Sequence, residues 1–187
     1  MRALRAGGDD LGGTRVEQDQ TLDNLERRVV ACRRCPRLVR WRERVASEKK
    51  REFHGWDYWG KPVPAFGDPG ARLLIVGLAP AAHGGNRTGR MFTGDSSGDW
   101  LYAALYRAGF ANQPNSDHRG DGLNLSDCYI TAAVHCAPPL NKPSSIEFTR
   151  CRTYLVEELN LMRKQLSTVI VLGKIAFDSF LKAYEES

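Results

Sequence analysis

Arg72-Leu-Leu-Ile-Val76 is a short, continuous apolar run with Gly70 before it and Gly77 after it. A run of this length, bounded by turn residues, predicts a strand buried on both faces. A long Gly-rich loop over 77–94 follows. A helix is then expected from about Ser97 to Ala108, with Trp100, Leu101, Ala104 and Leu105 turned inward and Gly109 closing it. The alternation continues down the chain. Asp127–Val134 predicts a second strand, and the box Ser144-x-x-Glu147 opens a helix to about Gln165. Thr168–Leu172 predicts a third strand and Lys174–Tyr184 a last helix. Strands alternating with helices specify the α/β class: three layers, αβα, around a short parallel central sheet. No strand follows the last helix, so the sheet reads as one βα unit short.

Upstream of the first strand, residues 1–20 are polar and Gly-rich and read as a flexible leader to a single domain over 21–187. Leu22, Leu25, Val29 and Val30 recur at helical spacing and predict a helix from Thr21 to about Arg33. The strongly basic stretch 37–51 places Leu38, Trp41 and Val45 on one stripe, which predicts a second, amphipathic helix. Residues 53–70 are rich in Pro and Gly and read as a loop, with Phe53, Trp56, Tyr58, Trp59 and Phe66 plugging the side of the core.

The 187 residues suffice for one domain with its own core. A composition of 42% hydrophobic and 26% charged residues excludes a mainly disordered chain, a collagen and a coiled coil. No apolar run approaches the roughly 18 residues of a membrane span, and the first residues have no apolar core of a secretory signal. The formal net charge of +5 pulls moderately toward polyanions. Five cysteines without a secretion signal point to a reducing, cytoplasmic compartment, where clustered cysteines serve as ligands or catalytic groups rather than as disulfides.

Cys32 and Cys35 form a C-x-x-C, and Cys136 and Cys151 have fourteen residues between them. Cys136 falls just past the second strand and Cys151 about two turns into the next helix. Two such pairs can meet at one point, and four thiolates suit a tetrahedral zinc ion or a cubane iron–sulfur cluster. Spacing does not separate the two metals. Cys128, inside a strand, reads as an inert buried thiol.

The loop Gly77-Leu-Ala-Pro-Ala-Ala-His-Gly-Gly-Asn-Arg-Thr-Gly-Arg-Met-Phe-Thr-Gly-Asp95 starts at the carboxyl end of a parallel strand, where open α/β sheets bind ligands. It carries His83, Asn86, Arg87 and Asp95, and it is neither a phosphate loop nor a dinucleotide loop. The second strand leads to Cys136-Ala-Pro-Pro-Leu-Asn-Lys-Pro143, which adjacent strands would set beside the first loop, with Asn141 and Lys142 facing the same cleft.

These motifs, in this order, resemble family 5 uracil-DNA glycosylases. The first loop is similar to that family's first motif, and Cys136-Ala-Pro-Pro-x-Asn141-Lys-Pro143 to its second loop. Leu78 and Ala81 stand where family 4 carries Glu and Gly, which favours family 5. The resemblance runs from about Leu22 to Tyr184 and implies a uracil-DNA glycosylase-like fold. It implies a monomeric base-excision repair enzyme, without membrane association, that removes uracil and other altered bases from double-stranded DNA. It also implies a structural 4Fe-4S cluster on Cys32, Cys35, Cys136 and Cys151, in preference to zinc.

Residue by residue, the resemblance implies that Phe92 stacks the flipped base. Gly77, Ala79, Ala81 and His83 line the base pocket, with backbone N–H groups near Ala81–Gly84 facing the leaving base. Asp95 orients water and stabilises the cationic sugar, and Asn141 contacts the base. Arg87, Arg90, Lys142 and the 37–51 helix are the expected phosphate contacts. Two departures stand out. Family members add a further strand and a loop with a His-Pro-Ser/Val motif, whereas this sequence stops at Ser187 and is expected to lack that C-terminal segment. His135 stands where Arg is expected, which would cost a DNA contact. The competing readings are an iron–sulfur DNA-binding protein of the same fold with catalysis weakened or lost, and a four-thiolate zinc module.

Overall fold

The computed structural model describes residues 15–187, with side chains from Thr21 onward. The helices are α1 (Arg15–Val30), α2 (Pro36–Glu48), α3 (Gly85–Thr88), α4 (Ser96–Arg107), α5 (Ser145–Met162) and α6 (Lys174–Glu186). The strands are β1 (Phe66–Gly67), β2 (Leu73–Gly77), β3 (Cys128–Ala132) and β4 (Thr168–Val171), with 3-10 turns at Arg51–Phe53 and Pro139–Asn141. The sheet order is β1-β3-β2-β4. β2 pairs in parallel with both β3 and β4, and β1 pairs antiparallel to β3.

Alternation along the two central strands builds the layers. Leu74 and Val76 of β2 and Tyr129 of β3 pack with Leu22, Leu25 and Val29 of α1, Leu155 and Leu159 of α5, and Phe180 of α6. Leu73 and Ile75 of β2 and Cys128, Ile130 and Ala132 of β3 face the other way, onto Tyr102 and Leu105 of α4. Every residue of β2 and β3 is buried, as expected of strands covered on both sides. Ser144 and Glu147 form the expected capping box at the start of α5. Among the described residues, no helix is long and apolar enough to cross a membrane.

Three expectations change. The first helix begins at Arg15, so residues 15–20 of the expected leader are helical, while residues 1–14 lie outside the described residues. The 53–70 stretch contributes β1, a two-residue edge strand whose Gly67 sits directly on the Cys128 carbonyl. Such a short, Gly-containing strand carries no period-2 signal. On α4, Trp100 is 75% exposed and Ala104 also faces solvent, whereas Gly98, Tyr102 and Leu105 are buried. The helix is rotated because Gly98 packs on the Phe92 carbonyl, where a side chain would collide.

Among the described residues, β4 pairs only with β2. On that flank Ile170, Leu172, Ile175, Phe177, Leu181 and Tyr184 are exposed.

The long loop after β2 is locked by an internal ion pair. Arg90 donates through Nη1 and Nη2 to Asp121 at 2.8 and 2.6 Å and through Nε to Thr93 Oγ1 at 2.9 Å. Both partners are buried, with side chains 3% and 7% exposed. Burial alone would raise the Asp121 carboxyl, but Arg90 and the amides of Leu123 and Asp117 hold it far below the usual carboxylate range. A depressed folded value stabilises the protein above the unfolded value of about 3.9, and that stabilisation fades as pH falls below it. Asp121→Asn leaves a buried guanidinium without its counter-charge. It should cost about 3–5 kcal/mol at neutral pH, read from the denaturant midpoint, and the gap from wild type should narrow below about pH 4.

Candidate functional site

The parallel pairing of β2 and β3 carries on past the strands. Ala133 N donates to Gly77 O at 2.9 Å and Val134 N to Leu78 O at 3.0 Å. The two loops therefore leave the sheet side by side and enclose a cleft of about 160 Å³. Gly77, Ala79, Ala81, Phe92, Asp95 and Asn141 line it, with Pro80, Met91, Ser97 and Ala132. Its volume lies below the roughly 300–1,000 Å³ of a drug-sized site and fits a single small ring.

Phe92 is the floor. Its backbone is left-handed, with φ of 50°, a costly conformation for an aromatic residue. Ser116 Oγ reaches its carbonyl, and Tyr102 Oη donates to Met91 O at 2.8 Å. The ring rests against the end of β2, where a Cβ on Gly77 would stand 2.6 Å from Phe92 Cζ. Gly77 is thus the residue that lets an aromatic face lie at the strand end.

Asp95 caps α4. Its Oδ1 accepts from Ser97 N at 3.1 Å, from Gly98 N at 3.2 Å and from the Ser97 hydroxyl. Oδ2 lies against Gly84, so close that a Cβ there would collide with it. The capping role and a place in the cleft lining coexist in this residue. Asn141 sits across the cleft, and it and Leu140 both take φ of 55°. The Ala79 and Ala81 N–H groups enter no backbone hydrogen bond among the described residues, which leaves them as donors beside the cleft.

Other expected residues lie elsewhere. His83 is not in the cleft; its Nδ1 is 3.0 Å from Tyr58 Oη, and burial with nearby Lys50 and Arg87 lowers its pKa. Arg87 and Arg90 do not offer their charges outward, because both are buried. Arg87 donates to His83 O at 2.6 Å and Gly94 O at 2.8 Å and stacks on Phe53 and Trp56. Arg90 is spent on Asp121. These guanidiniums knit the loop because a Gly-rich segment has few side chains to hold it. On α2, Arg37 binds Glu147 and the Lys142 carbonyl, and Arg42 is buried. Lys142 itself is exposed. His135 points inward, its Nδ1–H donating to Val63 O at 2.8 Å, and burial lowers its pKa to about 4. Its place before Cys136 therefore has no bearing on a DNA surface.

Two contributors escaped the sequence reading. Tyr58 holds His83. Leu140 is 84% exposed on the left-handed turn at the rim of the cleft; an apolar residue between Pro139 and Asn141 was the available signal.

Cys32, Cys35, Cys136 and Cys151 line one small apolar cavity with Leu38 and Val134. Cys32 follows α1, Cys35 is the N-cap of α2, Cys136 follows β3 and Cys151 lies on α5. His135 N donates to Cys151 Sγ at 3.4 Å. Arg150 acts on Cys35 and Arg34 on Cys32. Burial pushes the Cys136 thiol up to about 12, so its thiolate needs a bound cation. A closed set of four thiols with N–H donors to sulfur fits a tetrathiolate cofactor. Among the described residues, no three His, Cys, Asp or Glu side chains are gathered closely enough to hold a single metal ion. Cys128 is buried and apart from this cavity, as expected.

A family profile described as "Uracil DNA glycosylase superfamily" matches residues 64–186. The chain is 51% identical over 162 residues to the "Type-5 uracil-DNA glycosylase" of Mycobacterium leprae, covering 87% of this chain and 71% of that protein. It is 49% identical over 160 residues to the protein of the same name from Pyrobaculum aerophilum, covering 86% and 69%. The Thermus thermophilus "Type-5 uracil-DNA glycosylase" is 52% identical over 153 residues, covering 82% and 68%. On this likeness, the chain belongs to the type-5 uracil-DNA glycosylases of the uracil-DNA glycosylase superfamily.

Proposed function

We propose that the protein acts as a monomer on double-stranded DNA and hydrolyses the N-glycosidic bond of uracil and other deaminated bases. The observation that carries this reading is the Phe92 ring lying against Gly77 at the floor of a cleft that Asp95 and Asn141 also line. A base swung out of the duplex costs a few kcal/mol. Stacking on Phe92 returns about 1–3 kcal/mol. Leu140, an exposed apolar side chain at the rim, fills the gap left in the stack, and Lys142 meets a phosphate.

Cleavage leaves positive charge on the sugar and negative charge on the base. Asp95 holds the attacking water and faces the cationic sugar. The Ala79 and Ala81 N–H groups donate to the base oxygen as charge builds there, and Asn141 reads the base edge. Cys32, Cys35, Cys136 and Cys151 are the ligands of a 4Fe-4S cluster. The cluster supplies a covalent tie among α1, α2, the second loop and α5, with no redox step in base removal.

Asn caps a helix as well as Asp does, so Asp95→Asn isolates the chemistry from the fold. Single-turnover release of uracil should fall by at least about 100-fold while duplex binding persists. Retained excision would refute the role of Asp95, and binding without excision in the wild type would favour the DNA-binding alternative.

Leu140→Ala should slow excision from duplex roughly tenfold, about 1.4 kcal/mol, and leave single-stranded substrate nearly unaffected. Equal losses on both would remove Leu140 from the wedge role.

Protein purified without oxygen should be brown and carry about four irons per chain. Cys136→Ser should lose colour and iron together. Colourless protein holding one zinc would replace the cluster with a zinc site.

A further inference from the structure

On the flank of the sheet beside β1, a second and larger crevice opens between α1, α2 and the 59–64 segment. Its volume is about 610 Å³, and it shares no lining residue with the cleft that holds Phe92. Five cationic side chains line it: Arg27, Arg33, Arg42, Lys61 and Arg119. Arg33 is paired with Glu43. The other four have no carboxylate within hydrogen-bond distance among the described residues. Arg27 binds only the neutral Asn24 amide, and Lys61 and Arg119 lie over the Trp59 ring at 5.3 and 4.6 Å. Trp59 is itself fixed, by Nε1 donating to Pro62 O at 2.9 Å and by Gly89 packed against its ring. An aromatic ring thus aims two solvent-exposed cations over the crevice.

Arg42 lies in the wall. It is 2% exposed, and its Nε and Nη1 have no hydrogen-bond partner. Its Nη2 reaches only the Cys32 carbonyl, at 3.5 Å, with Glu43 no nearer than 3.9 Å. A buried guanidinium is costly unless paired, and the groups nearest to Arg42 are Glu43 and the Cys136 thiol, which burial raises and Arg42 lowers. Two carboxylates, Asp23 and Glu26, also line the crevice. Burial and the neighbouring Asp23 push Glu26 up to about 7, with Tyr129 and the nearby Arg119 pulling the other way.

We propose that this crevice binds phosphate groups, with Lys61 and Arg119 as the outer contacts and Arg42 supplying charge from the wall. Five guanidinium and ammonium groups face two carboxylates in this lining, and clustered groups of this kind are the chemistry that recognises phosphate oxygens. The phosphate has two possible sources, a small free phosphate anion or the backbone of a nucleic acid crossing the flank. The assignment stands independently of the glycosylase reading.

The test pairs the full chain with a Lys61→Ala/Arg119→Ala double variant, in which both substituted residues are exposed and outside the catalytic cleft. Inorganic pyrophosphate is titrated by calorimetry, and undamaged duplex is titrated across a salt series. Saturable pyrophosphate binding that weakens at least tenfold in the variant identifies a small-anion site. Duplex binding that weakens in the variant, with its salt slope smaller by about two, identifies a backbone site. If the variant matches wild type in both titrations, the proposal is wrong. Single-turnover uracil release is measured on wild type and the same double variant: excision intact with both titrations unchanged sinks the crevice alone, and absence of excision in wild type sinks the glycosylase reading alone.

Discussion

The parallel pairing of β2 with β3 is the constraint on which the site depends. Register places Gly77 opposite Ala132, and two further backbone bonds extend the pairing into the loops. Because parallel strands end at the same edge, both loops are released at one level. A slip of one residue would turn Leu74, Val76 and Tyr129 out of their layer and set Phe92 and Asn141 at different heights. The hydrophobic alternation of two five-residue strands thereby fixes the geometry of a polar cleft that contains neither strand's side chains beyond Gly77 and Ala132.

The cysteines mark a second convergence. α1 and α2 are remote in sequence from β3 and α5, and Leu38 of α2 packs there with Val134, Cys136 and Phe148. Four thiols line the cavity at that junction. The N–H and guanidinium donors around them suit sulfur that carries charge, which is why so polar a fringe surrounds an apolar cavity.

Much of this could be read from the residues. The apolar runs found β2, β3 and β4 to within a residue or two, and Ser144-x-x-Glu147 located α5, since burial on both faces and a capping box are local signals. The cleft residues Gly77, Phe92, Asp95 and Asn141 were legible because they cluster in two loop motifs. What failed was the direction of charge. Arg87 and Arg90 look like phosphate contacts in a basic sequence, yet one lies on Phe53 and Trp56 and the other on Asp121. Their partners sit more than thirty positions away, and nothing local announces them. The rotation of α4 failed for the same reason, being set by one close approach of Gly98 to the Phe92 carbonyl.

The outer edge of β4 has further implications. Among the described residues it meets no strand, and Ile170, Leu172, Ile175, Phe177, Leu181 and Tyr184 stand exposed beside it. Proteins ordinarily blunt such a margin with lysines, prolines or a bulge, and Thr168–Val171 carries no lysine or proline. This margin is therefore a template on which a further strand can add.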